Sequence, residues 1–246
     1  MSTIADNIKQ VQENIAAACA RAGRNPAEIT LVAVSKRKPV VNVLDALAAG
    51  VQHFGENRVD EIESKVPEVA EQLGDRPEPV WHWVGHLQSR KTKDVLPLFP
   101  WMHSLDSVKL AGKMQRFAED ENLTPQVFIQ VNVSGEQQKY GFDGSAWQTA
   151  SAQKDALMDE FRQILAFDRL QVRGLMTMAP YGVPEADLRA VFQSLAALKA
   201  EAEQTLDVQW PDLSMGMTDD YPIAIEEGAT IVRVGRAIFG EREYGK

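Results

Sequence analysis

The sequence predicts an α/β protein, a single closed (β/α)8 barrel of the TIM type, and three observations carry that prediction. Eight short apolar or β-branched runs alternate with segments of helical periodicity along the whole chain. No composition shift, linker or low-complexity stretch divides it, so residues 1–246 read as one domain. A length of 246 residues is ordinary for an eight-stranded barrel. A doubly wound open sheet is the competitor, and the strand count favours the barrel.

The elements follow in order. Ile4, Ile8, Val11, Ile15 and Ala18 recur at helical spacing and predict a first helix over about 3–22, closed by Gly23. A strand over 30–36 is followed by a helix over 40–49 that stops at Gly50. Residues 51–56 and 57–73 repeat the pair, and a loop with two prolines fills 75–79. The third strand covers 80–86 with a short helix at 89–96; the fourth covers 101–105, its helix at 107–121 capped by Asp106 or Ser107. The fifth, 126–133, is the clearest, and a polar loop at 134–144 leads to a helix over 146–165. Strands at 171–178, 212–217 and 230–234 complete the set, with helices at 184–203 and 221–227.

Composition excludes several functions. A net charge of −9 advertises no basic face for nucleic acid. No apolar stretch is long enough to span a bilayer, and the N-terminus lacks a signal peptide's apolar core. The one cysteine, Cys19, forms no internal disulfide and suits a reducing compartment, so a cytoplasmic location is expected. No P-loop, GxGxxG or GxSxG occurs, which leaves nucleotide kinases, Rossmann dehydrogenases and serine hydrolases without local support.

In such barrels chemistry gathers where strands end. The run Leu31–Pro39 delivers Lys36 at the first strand's end, on the face of Val32 and Val34. A partly buried lysine there is a candidate Schiff-base nucleophile; the alternative is a solvated basic loop of Lys36, Arg37 and Lys38. On the fifth strand Val127, Ile129, Val131 and Val133 suit the helix layer, leaving Phe128, Gln130 and Asn132 for the interior. On the eighth, Ile231, Arg233 and Gly235 share inward parity, and an inward arginine opposite a lysine needs an anion, an acceptor or water. Ser214, Gly216 and Gly235 fit a phosphate-binding pair of loops after the last two strands, although ordinary turns use the same residues. Asn57 is a candidate contact or a helix N-cap. His86 stands at a strand end as a candidate ligand contact or a satisfied histidine. Its alternation with His82 lacks the cysteine or carboxylate partners a metal site needs, so no metal is expected. Met176, in LMTMAP, is core packing or a ring contact.

The stretches AVSK, HFGENRVDE, WHWVGHLQSRK, HSLDS, VNVSGEQQKYGF, RGLMTM and LSMGMTDDYPIAIEEGATIVRVGRAIFG resemble, in order and over nearly the whole chain, the pyridoxal 5′-phosphate homeostasis proteins of the YggS/PROSC type. These are short relatives of the alanine racemase barrel. The resemblance implies that Lys36 carries pyridoxal phosphate as an internal aldimine and that Arg233 faces the pyridine nitrogen. It also implies that Ser214 and the backbone at Gly235 and Arg236 hold the phosphate, with Asn57 beside the ring. The racemases add a second, mostly β domain and dimerise, and this chain ends shortly after its eighth strand. The expected protein is therefore a monomeric holder of the cofactor that serves intracellular homeostasis, with apo-enzymes as recipients and no substantial turnover. A single-domain amino-acid racemase is the alternative, and a lysine aldolase on the same barrel a remoter one.

Overall fold

The computed structural model describes residues 3–136 and 138–241. Helix α1 (Ile4–Ala22) opens on a reciprocal cap between Thr3 and Asp6 and ends at Gly23 in the left-handed conformation. Its buried stripe of Ile8, Val11, Ile15 and Ala18 packs into the helix layer beside the last helices of the chain. Then come β1 (Thr30–Val34), α2 (Val40–Ala48), β2 (His53–Glu56), α3 (Val59–Glu71), β3 (Val80–Trp83), α4 (Thr92–Val95), β4 (Trp101–Leu105) and α5 (Val108–Asp120). The second half holds β5 (Gln126–Asn132), β6 (Phe142–Asp143), α6 (Ser151–Leu165), β7 (Gln171–Met176), α7 (Glu185–Leu206), β8 (Asp212–Ser214), α8 (Tyr221–Glu226), β9 (Ile231–Val234) and α9 (Arg236–Phe239).

The ladders are parallel throughout and close on themselves: β1 pairs with both β2 and β9, and β4 with β5. This is the expected eight-stranded barrel. β6 stands outside the ring as a two-residue addition to β5, within what the sequence presents only as a polar loop. α6 starts at Ser151, not at 146, because the preceding residues turn to bury Trp147, whose indole N–H reaches Ser194 Oγ on α7 at 3.0 Å. The final GRAIFG stretch forms α9, which periodicity over so few residues does not reveal. Among the described residues no helix is long and apolar enough to cross a membrane.

Parity sorts the side chains as expected. Val127, Ile129 and Val131 join the large core between sheet and helices, while Val32, Phe128, Met176 and Ile231 form a small cluster inside the barrel. At the N-terminal end of the barrel Arg173 lies over the Trp101 ring at 5.4 Å and pairs with Asp212 Oδ2 at 2.9 Å. Gly174 makes that corner possible. Its φ is +151°, and a Cβ there would stand 1.9 Å from the Asp212 carbonyl oxygen.

Candidate functional site

Strands β2, β1 and β9 are neighbours, so their C-terminal ends bring Asn57, Lys36 and Gly235 to one sector of the barrel mouth. Lys36 is half-buried in the turn after β1, and a clamp from the next βα unit fixes that turn. Ser35 Oγ donates to Glu56 Oε1 at 2.7 Å. Lys65 Nζ donates to the same oxygen at 2.8 Å and to the Ser35 carbonyl at 3.0 Å. The Arg37 amide, at φ +60°, donates to Glu61 Oε2 at 2.6 Å. Burial raises the Glu56 carboxyl above its usual range, and the Lys65 ammonium opposes that shift.

Arg233 enters the interior from β9 opposite Val32. One terminal nitrogen donates to the Ser214 carbonyl at 2.9 Å and to Ser214 Oγ, the other to the Thr177 carbonyl at 2.8 Å. These bonds use three of a guanidinium's five N–H groups. Burial lowers its pKa to about 10, against the favourable charge of Asp220, and it stays cationic at neutral pH.

Below the guanidinium runs a chain of imidazoles that the sequence reading missed. His103 Nδ1 lies 2.7 Å from Ser214 Oγ, His82 Nδ1 2.8 Å from His103 Nε2, and His53 Nδ1 2.9 Å from His82 Nε2. Desolvation drives His82 and His103 well below the usual histidine pKa and lowers half-buried His53, so all three are neutral at pH 7. The signal was present: the three sit on the inward parity of consecutive strands.

The remaining candidates divide. The Gly235 amide donates to Thr218 Oγ1 at 3.4 Å, a hydroxyl the sequence reading passed over. Gly216, at φ +94°, permits the close turn there, since a Cβ would meet Ala224 at 2.7 Å. Ser214, expected at this cradle, is committed elsewhere. It ends the three-residue β8 opposite Ile231, one ladder step beneath Arg233, and its hydroxyl is bonded inside the barrel. The Arg236 side chain turns to Asp219 and Glu241, leaving its main chain as the part that could serve a ligand. Asn57 does not cap α3, and its Oδ1 is buried without a partner. Met176 is fully buried with Val32, Phe128 and Ile231, in the ladder layer of Ser214, and acts there as packing. His86 is at the exposed rim, 2.8 Å from Asp106 Oδ2 and stacked on Tyr140 at 3.8 Å, far in environment from buried His82. Among the described residues no group of three or more histidine, cysteine or acidic side chains could hold a metal.

A lysine amine, a buried guanidinium with donors to spare and a hydroxyl–amide cradle form a set rich in donors, and the Asn57 oxygen adds an unpartnered acceptor. The set suits a small anionic ligand with a carbon open to an amine.

The family described as alanine racemase, N-terminal domain, matches residues 7–243. A pyridoxal phosphate homeostasis protein of Pseudomonas aeruginosa is 42% identical over 248 residues, covering 100% of this chain and 98% of its own length. One from Aquifex aeolicus is 37% identical, covering 97% and 98%. The solved structure of PipY from Synechococcus elongatus with PLP bound has TM-score 0.81 at 33% identity, covering 97% of this chain and 100% of PipY. An alanine racemase of Clostridium difficile, at 13% identity and TM-score 0.67, shares the fold over 97% of this chain and 57% of its own.

Proposed function

The chain belongs to the alanine racemase N-terminal domain family and, within it, to the pyridoxal phosphate homeostasis proteins, and from that membership we propose that it holds pyridoxal 5′-phosphate as a Schiff base on Lys36. The observation that carries this reading is the convergence of Lys36, Arg233 and the Thr218–Gly235 cradle at one mouth of the barrel. Bound there, pyridoxal phosphate supplies an aldehyde for an amine and a pyridine ring that can take up electrons from a reacting carbon.

Each residue has a distinct task. The clamp of Ser35, Glu56, Lys65 and Glu61 orients the turn so that Lys36 offers its amine. Arg233 would donate to the pyridine nitrogen, the Thr218 hydroxyl, set by the Gly235 N–H, would hold the phosphate together with the Arg236 main-chain N–H, and Asn57 would lie beside the ring. Ser214 is assigned to Arg233, whose donation to its hydroxyl supports that role.

The role is homeostatic: a cytoplasmic, monomeric carrier that keeps the cofactor bound and passes it to apo-enzymes, without substantial turnover. Arg233 supports that reading. A guanidinium that remains cationic at neutral pH does not yield its proton to the ring nitrogen, which keeps the ring a poor electron sink. A second reading, an amino-acid racemase, draws on the His86–Asp106 pair at the rim, which has the geometry of an oriented general base.

Absorbance and borohydride reduction test the site. Wild-type protein should be yellow and give a reduced adduct mapping to Lys36, and Lys36→Ala should give none. A wild type that stays colourless after incubation with the cofactor refutes the proposal. Rapid exchange of amino-acid α-protons in D2O, lost in His86→Ala, would favour the racemase instead.

A further inference from the structure

Polar groups fully enclosed in a barrel must satisfy one another, and the imidazole chain obeys that rule in only two ways. A neutral imidazole donates through one nitrogen and accepts through the other. Along His53, His82, His103 and Ser214 the protons therefore lie either all on Nδ1, pointing toward Ser214, or all on Nε2, pointing away. Two features of the surroundings choose between them.

The first is hydroxyl bookkeeping. Ser214 is wholly buried, its Oγ already accepts from Arg233, and among the described residues its other side-chain hydrogen-bond partner is His103. If His103 donated as well, the hydroxyl proton would have no acceptor among the described residues. If Ser214 donates to His103 Nδ1, every hydrogen bond is made, and the last N–H emerges from half-buried His53 toward the N-terminal end of the barrel.

The second is charge. Arg233 is 5% exposed and has no carboxylate within ion-pair distance among the described residues. In the Nε2–H arrangement every dipole turns its lone-pair end toward the guanidinium, and the positive ends lead away to the half-buried terminus. The opposite arrangement aims three N–H groups at a cation.

We propose that His53, His82 and His103 are positioning residues for Arg233: a one-way chain of Nε2–H imidazoles that turns the Ser214 lone pairs onto the guanidinium and fixes it beneath the mouth. The chain adds aligned dipoles to the more distant charge of Asp220 in compensating a buried cation that, among the described residues, no carboxylate touches. Keeping the cation intact also keeps the proton from the group that Arg233 serves. This last step rests on the cofactor reading above; the proton arrangement does not.

The direct test is a nitrogen-15 spectrum of histidine-labelled wild-type protein at neutral pH without cofactor, with His86 as the rim reference. Nε2–H signatures at His82 and His103 are expected. An Nδ1–H or imidazolium signature at either overturns the chain. The second arm compares His103→Phe, which cuts the chain at Ser214, with His103→Gln, which restores an acceptor and a donor. The Phe variant should weaken pyridoxal phosphate binding about tenfold or more and shift the bound chromophore's absorption band, with the Gln variant recovering most of both. Wild-type affinity and an unshifted band in a folded His103→Phe protein overturn the positioning role. A wild type that takes up no pyridoxal phosphate yet shows the Nε2–H signatures overturns the cofactor reading alone and leaves the chain standing.

Discussion

Acid should unfold this protein through its interior histidines, and the size of the effect can be worked out. His82 and His103 are fully buried, and desolvation holds both well below the ordinary value of 6.5. A base whose folded pKa is depressed contributes stability that is present above the unfolded pKa. That stability is lost as pH falls through the window down to the folded pKa, because only the unfolded chain takes up the proton there. Between pH 7 and pH 5.5 each such group costs a little over 1 kcal/mol, and the pair about 2 to 3 kcal/mol. Glu56 and Asp220 act in the other direction, since burial raises both and the folded protein gains their protons as pH falls. The histidine share is therefore read by difference. Urea unfolding followed by tryptophan fluorescence at the two pH values should show that His82→Gln shrinks the acid-induced loss by about 1 kcal/mol relative to wild type. Equal losses in the two proteins would mean that His82 titrates in the fold as it does in the unfolded chain, and a larger loss in the variant that it is charged there; either result would make the neutral chain wrong.

Three other expectations are sharp enough to check. Lys65→Met strips the buried Glu56 carboxylate of its ammonium, so urea unfolding at neutral pH should show a loss of about 3–5 kcal/mol that diminishes toward acid as Glu56 takes up a proton. Gly174→Ala forces a Cβ into the Asp212 carbonyl at a φ of +151° and should leave no soluble folded protein. Its control, Gly112→Ala in α5, meets nothing nearer than Phe167 at 3.6 Å and should gain up to about 1 kcal/mol by thermal unfolding. Thr218→Val removes a hydroxyl from the proposed phosphate cradle and should weaken pyridoxal phosphate about tenfold by equilibrium dialysis while sparing pyridoxal, which has no phosphate. An equal loss for both ligands would move the phosphate elsewhere.

Much of this arrangement is legible before any coordinates. Period-two alternation separates Val127, Ile129 and Val131 from Phe128, and it places Ile231 and Arg233 inside the barrel, because a closed sheet has only two faces. What the pattern does not give is depth. The run through 212–217 reads as one strand, but the ladder stops at Ser214, so that hydroxyl lies beneath the mouth while Thr218, beyond the ladder, reaches the Gly235 amide. The pattern carries the histidines' shared inward parity, but not the register that makes them meet. His53 and His103 are ordinary lone residues until barrel closure sets their strands side by side with His82. The Glu56–Lys65 clamp is hidden for a similar reason: a lysine amid a charged helical stretch reads as solvated, and only the packing of α3 on β2 buries it. β6 is too short for any periodic signal, and it exists because Phe142 finds a place beside Val131 and packs on Phe161.

The imidazole chain also works as a ruler during assembly. A strand that slips by one residue exchanges its inward and outward faces. In β2, β3 or β4 such a slip would push a histidine into the apolar layer occupied by Phe54, Trp81, Trp83 and Met102, and would drag one of those large side chains into the bore. Slipping β3 alone severs the hydrogen bonds of His82 to both His53 and His103. An interior of interchangeable aliphatic residues would tolerate neighbouring alignments at modest cost, whereas three donors and acceptors that must meet in sequence admit one. The polar seam thus encodes the alignment of three strands, and a redesign that replaced it with leucine and valine would have to specify that alignment by other means.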